Sequence, residues 1–92
     1  MVSVEEELEA AQAAKAAIKV LLTTTPKSAA VKALRRANHA AILNLSSGGS
    51  LNEARGKVGI ALSNLLHGPG TQEKIDKAKG AVEEWINQLR NG

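Results

Sequence analysis

Few side chains in this chain are equipped for chemistry: two histidines, His39 and His67, one tryptophan, Trp85, no cysteine, and Asn38 set in the middle of an apolar run. His39 shares a helical face with Lys32, Arg35 and Arg36, since separations of three, four and seven residues bring side chains together on a helix. That stripe reads first as a solvated basic face, with an acidic partner or a phosphate backbone as the lesser alternative. No aromatic residue interleaves with it, so it has no platform for stacking bases, and nucleic acid is not an expected partner. His39 alone offers neither an activated nucleophile nor a paired acid and base. No phosphate loop, zinc-ligand spacing or nucleophile elbow occurs, and the glycines at 48–49 and 68–70 lack a nucleotide-binding context. The expectation is therefore a non-enzyme with no cofactor and no metal.

Asn38 is a more informative polar residue. Val31, Leu34, Asn38, Ala41 and Leu45 fall on one heptad-like seam with the amide at its centre, and a buried Asn at such a position fixes register. Counting back from the connections puts Asn38 level with Ala10-Ala11, Val58-Gly59 and Gly80-Ala81. This layer of small residues either draws helices together or leaves a cavity, with Trp85 one turn away. A ligand there would meet Asn38 as a hydrogen-bonding group, Trp85 as a wall, and Gly59 and Ala11 as the space around its apolar body. A second candidate face carries Gly56, Gly59, Ile60 and Ser63, beside the helix 3 stripe of Leu51, Val58, Leu62 and Leu65. Glycine in a helix interior costs about 1 kcal/mol relative to alanine. Two such residues one turn apart predict close approach of another backbone, a ligand or a second copy of the chain, with helix 1 through Ala10, Ala13, Ala14 and Ala17 the first expectation and a partner helix the alternative.

The elements that must position these residues are four amphipathic helices. Ser3 and Glu6 have capping-box spacing and open a helix over about 4–23; Thr25 with Pro26 opens one over about 26–45. After the break at Ser46, Ser47, Gly48 and Gly49, Ser50 and Glu53 repeat the capping-box spacing before a helix over about 51–67. Pro69 and Gly70 turn the chain, Thr71 caps, and Ile75, Ala78, Val82, Trp85 and Leu89 form the seam of a helix over about 72–90. The chain also echoes itself at an offset of 44: Glu9 with Glu53, Ala10 with Ala54, Ala17 with Ala61, Val31 with Ile75, Ile42 with Ile86, Leu45 with Leu89. Short connections favour antiparallel neighbours. The predicted fold is all-α, a single domain over 1–92 built as an antiparallel up-down four-helix bundle of two related αα-hairpins.

Composition supports helix packing as the source of stability. With no cysteine there is neither a disulfide nor a thiolate metal site, and with one aromatic residue in 92 the interior must be filled largely by alanine and aliphatic side chains. The net charge of +3 is small but uneven. Glu5, Glu6, Glu7 and Glu9 dominate the start, whereas Lys27, Lys32, Arg35 and Arg36 are the only charges over 26–50. No apolar run approaches the roughly 18 residues of a membrane span, and four glutamates among the first twenty residues do not suit a signal peptide. A soluble protein is expected, cytoplasmic if natural.

Capping-box starts, near-equal helices, short turns and helices rich in Ala, Glu, Lys and Leu make the chain resemble de novo designed helical bundles along its whole length. The threonine triplet, the glycine-interrupted helices and the alanine-dominated faces depart from an idealised bundle, and alanine-rich bundles of the talin and vinculin kind are similar in this coarse sense. The resemblance implies a scaffold whose specified property is its fold. The leading functional expectation is such a scaffold with capacity for a small apolar molecule in its interior. The alternative is a module for self-association or for a helical partner on the small-residue face.

Overall fold

The computed structural model describes residues 2–23, 27–46 and 48–91. Four helices follow one another: α1 (Val4–Val20), α2 (Ser28–Leu43), α3 (Ser50–Leu66) and α4 (Gln72–Asn91). They form an up-down bundle of 38 × 22 × 20 Å, with α1 against α2, α2 against α3, α3 against α4, and α4 closing on α1. The expected all-α architecture is the observed one. The anticipated close approach of helix 1 to helix 3 is not: the two backbones lie across the bundle diagonal, with no Cα pair within 8 Å. The glycines of α3 are therefore not there to admit α1.

Local chemistry explains most of the helix ends. Ser3 caps α1 by accepting from the Glu6 amide at 3.1 Å, and its hydroxyl donates to Glu6 Oε1 at 3.3 Å, so the carboxylate meets the serine side chain rather than the amide of Ser3. Thr71 Oγ1 accepts from the Lys74 amide at 3.3 Å and starts α4. The Ser50 capping box does not form. Gly49, at φ +94°, occupies the cap position, and Ser50, already helical, donates to Gln88 of α4 at 3.0 Å. Gly48 and Gly49 both hold positive φ, a conformation costly for other residues, and this lets the α2–α3 connection turn sharply. The expected Thr25–Pro26 cap lies outside the described residues. α2 begins only at Ser28 and ends at Leu43, and α1 ends at Val20, each short of the expected span.

The core is built from small residues. Ala10, Ala11, Ala14 and Ala17 of α1 and Ala30, Ala37, Ala40 and Ala41 of α2 are all buried, and α1 packs against α2 in the first hairpin. The predicted α4 seam is buried at all five positions, Ile75, Ala78, Val82, Trp85 and Leu89. On α2 the buried stripe runs instead through Ala30, Leu34, Ala37, Ala41 and Asn44, leaving Asn38 half-buried at its edge and Leu45 exposed. The two stripes share Leu34 and Ala41 and the same alternation of three- and four-residue steps, but packing turns the Ala30, Ala37 and Asn44 side of that line inward in place of Val31, Asn38 and Leu45.

Candidate functional site

At the end of the bundle where α1 and α3 begin and α2 and α4 finish, one residue from each helix or its cap meets in a polar cluster that the sequence reading did not anticipate. Glu7 is fully buried, and both of its carboxylate oxygens are saturated. Oε1 accepts from Asn44 Nδ2 at 2.7 Å and Arg55 Nη2 at 2.7 Å; Oε2 accepts from Arg55 Nε at 2.8 Å and the Trp85 indole N–H at 2.7 Å. Asn44 Oδ1 in turn accepts from the Val2 amide at 3.1 Å. Burial alone would push the Glu7 carboxyl upward. The hydrogen bonds from Arg55, Asn44 and Trp85, with the charge of Arg55, outweigh it and hold the group below the ordinary glutamate range.

This cluster decides where Trp85 and Arg55 point. The indole is fully buried and tied to Glu7, and Ala11 is fully buried as well. Tryptophan brings roughly 4–6 kcal/mol of apolar burial into the bundle, and the acceptor on Glu7 keeps its N–H from being orphaned there. Of the four residues expected around an interior ligand, only Asn38 and Gly59 are shown together: a Cβ on Gly59 would stand 3.6 Å from Asn38 Oδ1. That oxygen is buried without a hydrogen-bond partner.

The face of Gly56, Gly59, Ile60 and Ser63 is brought together. These residues line an open groove of about 480 Å³ between α2 and α3, with Ile42 and Leu45 along its other wall. Ile60 is 67% exposed, Ile42 52% and Leu45 45%, so three aliphatic side chains stand bare around one groove. The glycines form the recess: nothing lies within 4 Å of a Cβ built on Gly56, and on Gly59 it would meet only Asn38 Oδ1 and Ile42 Cγ1. Arg55 borders the groove, yet its guanidinium turns inward to Glu7, so the floor carries no free charge. Ser63 Oγ lies 3.2 Å from His67 Nδ1.

Ile60 also borders a second groove of about 470 Å³ on the far side of α3, shared with α4. Ala61 and Ala81 contribute its apolar surface, and Lys57, Lys74 and Lys77 its charge, with Glu84 as the one carboxylate. Arg35, Arg36 and His39 are exposed on α2, as their helical spacing implied. Among the described residues no three His, Asp or Glu side chains gather in a metal-binding group, and no helix is long and apolar enough to cross a membrane.

The arrangement defines a four-helix up-down bundle with a pinned interior and a bare, glycine-recessed face on α3. Comparison of the chain with protein-family models, curated proteins and solved structures finds no match.

Glu7 and Arg55 did leave a signal in the sequence. Glu7 stands three, four and seven residues before Ala10, Ala11 and Ala14, on the stripe that became the core, and Arg55 stands three and seven before Val58 and Leu62. Each charge sits where an apolar residue was due, and two opposite charges so placed on different helices are candidates for a buried pair.

Proposed function

We propose that this chain is a non-enzymatic interaction module, a rigid helical scaffold that seats a partner helix on the outer face of α3. One observation carries the reading: a glycine-floored groove with Ile42, Leu45 and Ile60 exposed around it. Helices pack by setting side-chain ridges into grooves, and Gly56 and Gly59 provide a recess deep enough for a knob beside the ridge made by Ile60. The tightly closed packing around Trp85 and Ala11 supports an exterior over an interior site for any ligand. The likeness in style to designed bundles supports treating the fold as the support for a face.

Selection of binders from a library of randomised amphipathic helices displayed against the immobilised protein tests this reading. Binders should lose at least tenfold in affinity on Ile60→Asp, which places a charge in the apolar contact. Recovery of no helix, or of helices indifferent to Ile60→Asp, would end the proposal.

A further inference from the structure

The two grooves beside Ile60 differ in electrostatic character, and that difference specifies what the partner helix carries. From the α2 side the contact is aliphatic and neutral, because Arg55 is engaged by Glu7 at 2.7 Å. Toward α4 the surface is basic: Lys57 and Lys77 are exposed and Lys74 half-exposed around the same groove, three ammonium groups against Glu84. The pairing of Lys77 with Glu73, at 3.4 Å between side chains more than 70% exposed, is too solvated to cancel this. Resting on the interaction-module reading, we infer that the partner is an amphipathic helix with an apolar stripe for the Gly56–Gly59 recess and an acidic edge aligned with Lys57, Lys74 and Lys77.

Two other occupants fit less well. A second copy pairing α3 with α3 about a two-fold axis could place Ile60 over Gly56 of its twin, but this register sets the two Lys57 side chains beside the axis, where like charges oppose each other. An anionic membrane would satisfy the lysines, but a flat bilayer presents no knob for the glycine recess.

The test uses helical peptides of about 20 residues, long enough to hold helix once docked. All share one leucine-alanine stripe and differ only in an edge of three Glu, three Gln or three Lys. Binding is followed by amide chemical-shift changes on the intact protein. The Glu-edged peptide should bind about tenfold tighter than the Gln-edged one, the sum expected of three modest exposed ion pairs. That advantage should vanish between about 0.05 and 0.5 M salt. The variant K57E/K74E/K77E should reverse the preference toward the Lys edge, whereas K15E/K19E/K32E, with the same change in net charge elsewhere, should not. Equal binding of Glu-edged and Gln-edged peptides at Gly56, Gly59 and Ile60 overturns the acidic edge and leaves the interaction module standing. Failure of every peptide to perturb α3 overturns both. A concentration-dependent doubling of mass abolished by Ile60→Asp identifies a second copy instead, and co-sedimentation with anionic phosphatidylserine vesicles but with no peptide identifies a membrane; either result overturns the acidic helix.

Discussion

Laid over each other at an offset of 44 residues, hairpin α1–α2 and hairpin α3–α4 send matched side chains to opposite fates. Ile42 is 52% exposed and Leu45 45%, whereas their counterparts Ile86 and Leu89 are buried at 4% and 6%. Two substitutions of pattern accompany the difference. On α1, Gln12 and Lys15 occupy the positions that Gly56 and Gly59 occupy on α3, so only the second hairpin has a recess in that helix. At the network end the halves diverge at all four participants: Glu7 matches Leu51, Ala11 matches Arg55, Ala41 matches Trp85 and Asn44 matches Gln88. With Asn44 drawn to Glu7 as the C-cap, α2 stops at Leu43 and Leu45 lies beyond its end, while α4 continues through Leu89 to Asn91. The two hairpins thus make an asymmetric molecule with one pinned interior and one open face.

The largest break in that comparison should come from Arg55→Ala. It gives α3 the residue its counterpart position has on α1 and leaves the Glu7 carboxylate buried without its main partner, which costs about 3–5 kcal/mol. Urea unfolding measures it, and a loss below about 1 kcal/mol would mean that the cluster does not hold the helices together. The double variant Glu7→Leu with Arg55→Ala removes both charges and should be less destabilised than Arg55→Ala, though the Trp85 and Asn44 donors then lack their acceptor.

Acid should loosen the same end by a smaller and graded amount. The folded-state pKa of Glu7 is depressed, so the stability it contributes is fully present above the unfolded glutamate value of about 4.3 and is lost as pH falls through the lower folded value. Loss of the carboxylate charge leaves the Arg55 guanidinium without its counter-ion. Trp85 fluorescence reports the event directly, since its indole N–H donates to Glu7. Below about pH 4.3 the emission of the wild-type protein should shift together with falling urea stability. In Glu7→Gln the emission should no longer follow this titration. An unchanged acid response in that variant would assign the transition to other carboxylates.

How far the sequence carried this architecture can be seen residue by residue. The α4 seam was legible because Ile75, Ala78, Val82, Trp85 and Leu89 recur at three- and four-residue steps in a largely polar helix, where the other apolar residues, Ala81 and Ile86, adjoin the same face. On α2, alanine occurs on several faces, so the heptad through Val31 and Asn38 and the stripe through Ala30 and Ala37 looked equally apolar; only packing chose between them. The grouping of Gly56, Gly59, Ile60 and Ser63 was legible, since glycine inside a helix is conspicuous. Its neighbour was not: α2 rather than α1 lies beside it, a matter of bundle topology that helix periodicity does not encode. Glu7 was hidden among Glu5, Glu6 and Glu9, where an acidic first turn already has a reason in the helix dipole. Trp85 was read as a possible wall because its acceptor, 78 residues away, belongs to that same overlooked glutamate.

The smallest effect is the one that most sharply separates function from folding. Gly56→Ala and Gly59→Ala should each stabilise the protein by about 0.5–1 kcal/mol, because alanine loses less backbone entropy in a helix and both sites have space for a Cβ. At Gly56 nothing lies within 4 Å, and at Gly59 the contacts of 3.6 Å to Asn38 Oδ1 and 3.8 Å to Ile42 Cγ1 are ordinary ones. Each methyl also raises the floor of the recess. A helix selected on the natural face should therefore bind these variants more weakly while thermal unfolding moves upward, the opposite of the parallel loss that a folding defect would give. If Gly56→Ala gains stability and keeps full affinity, the knob does not enter there and the seat lies nearer Ile42. If Gly59→Ala instead destabilises, the approach of α2 to α3 is tighter than these contact distances imply, and Gly59 serves helix packing rather than the partner.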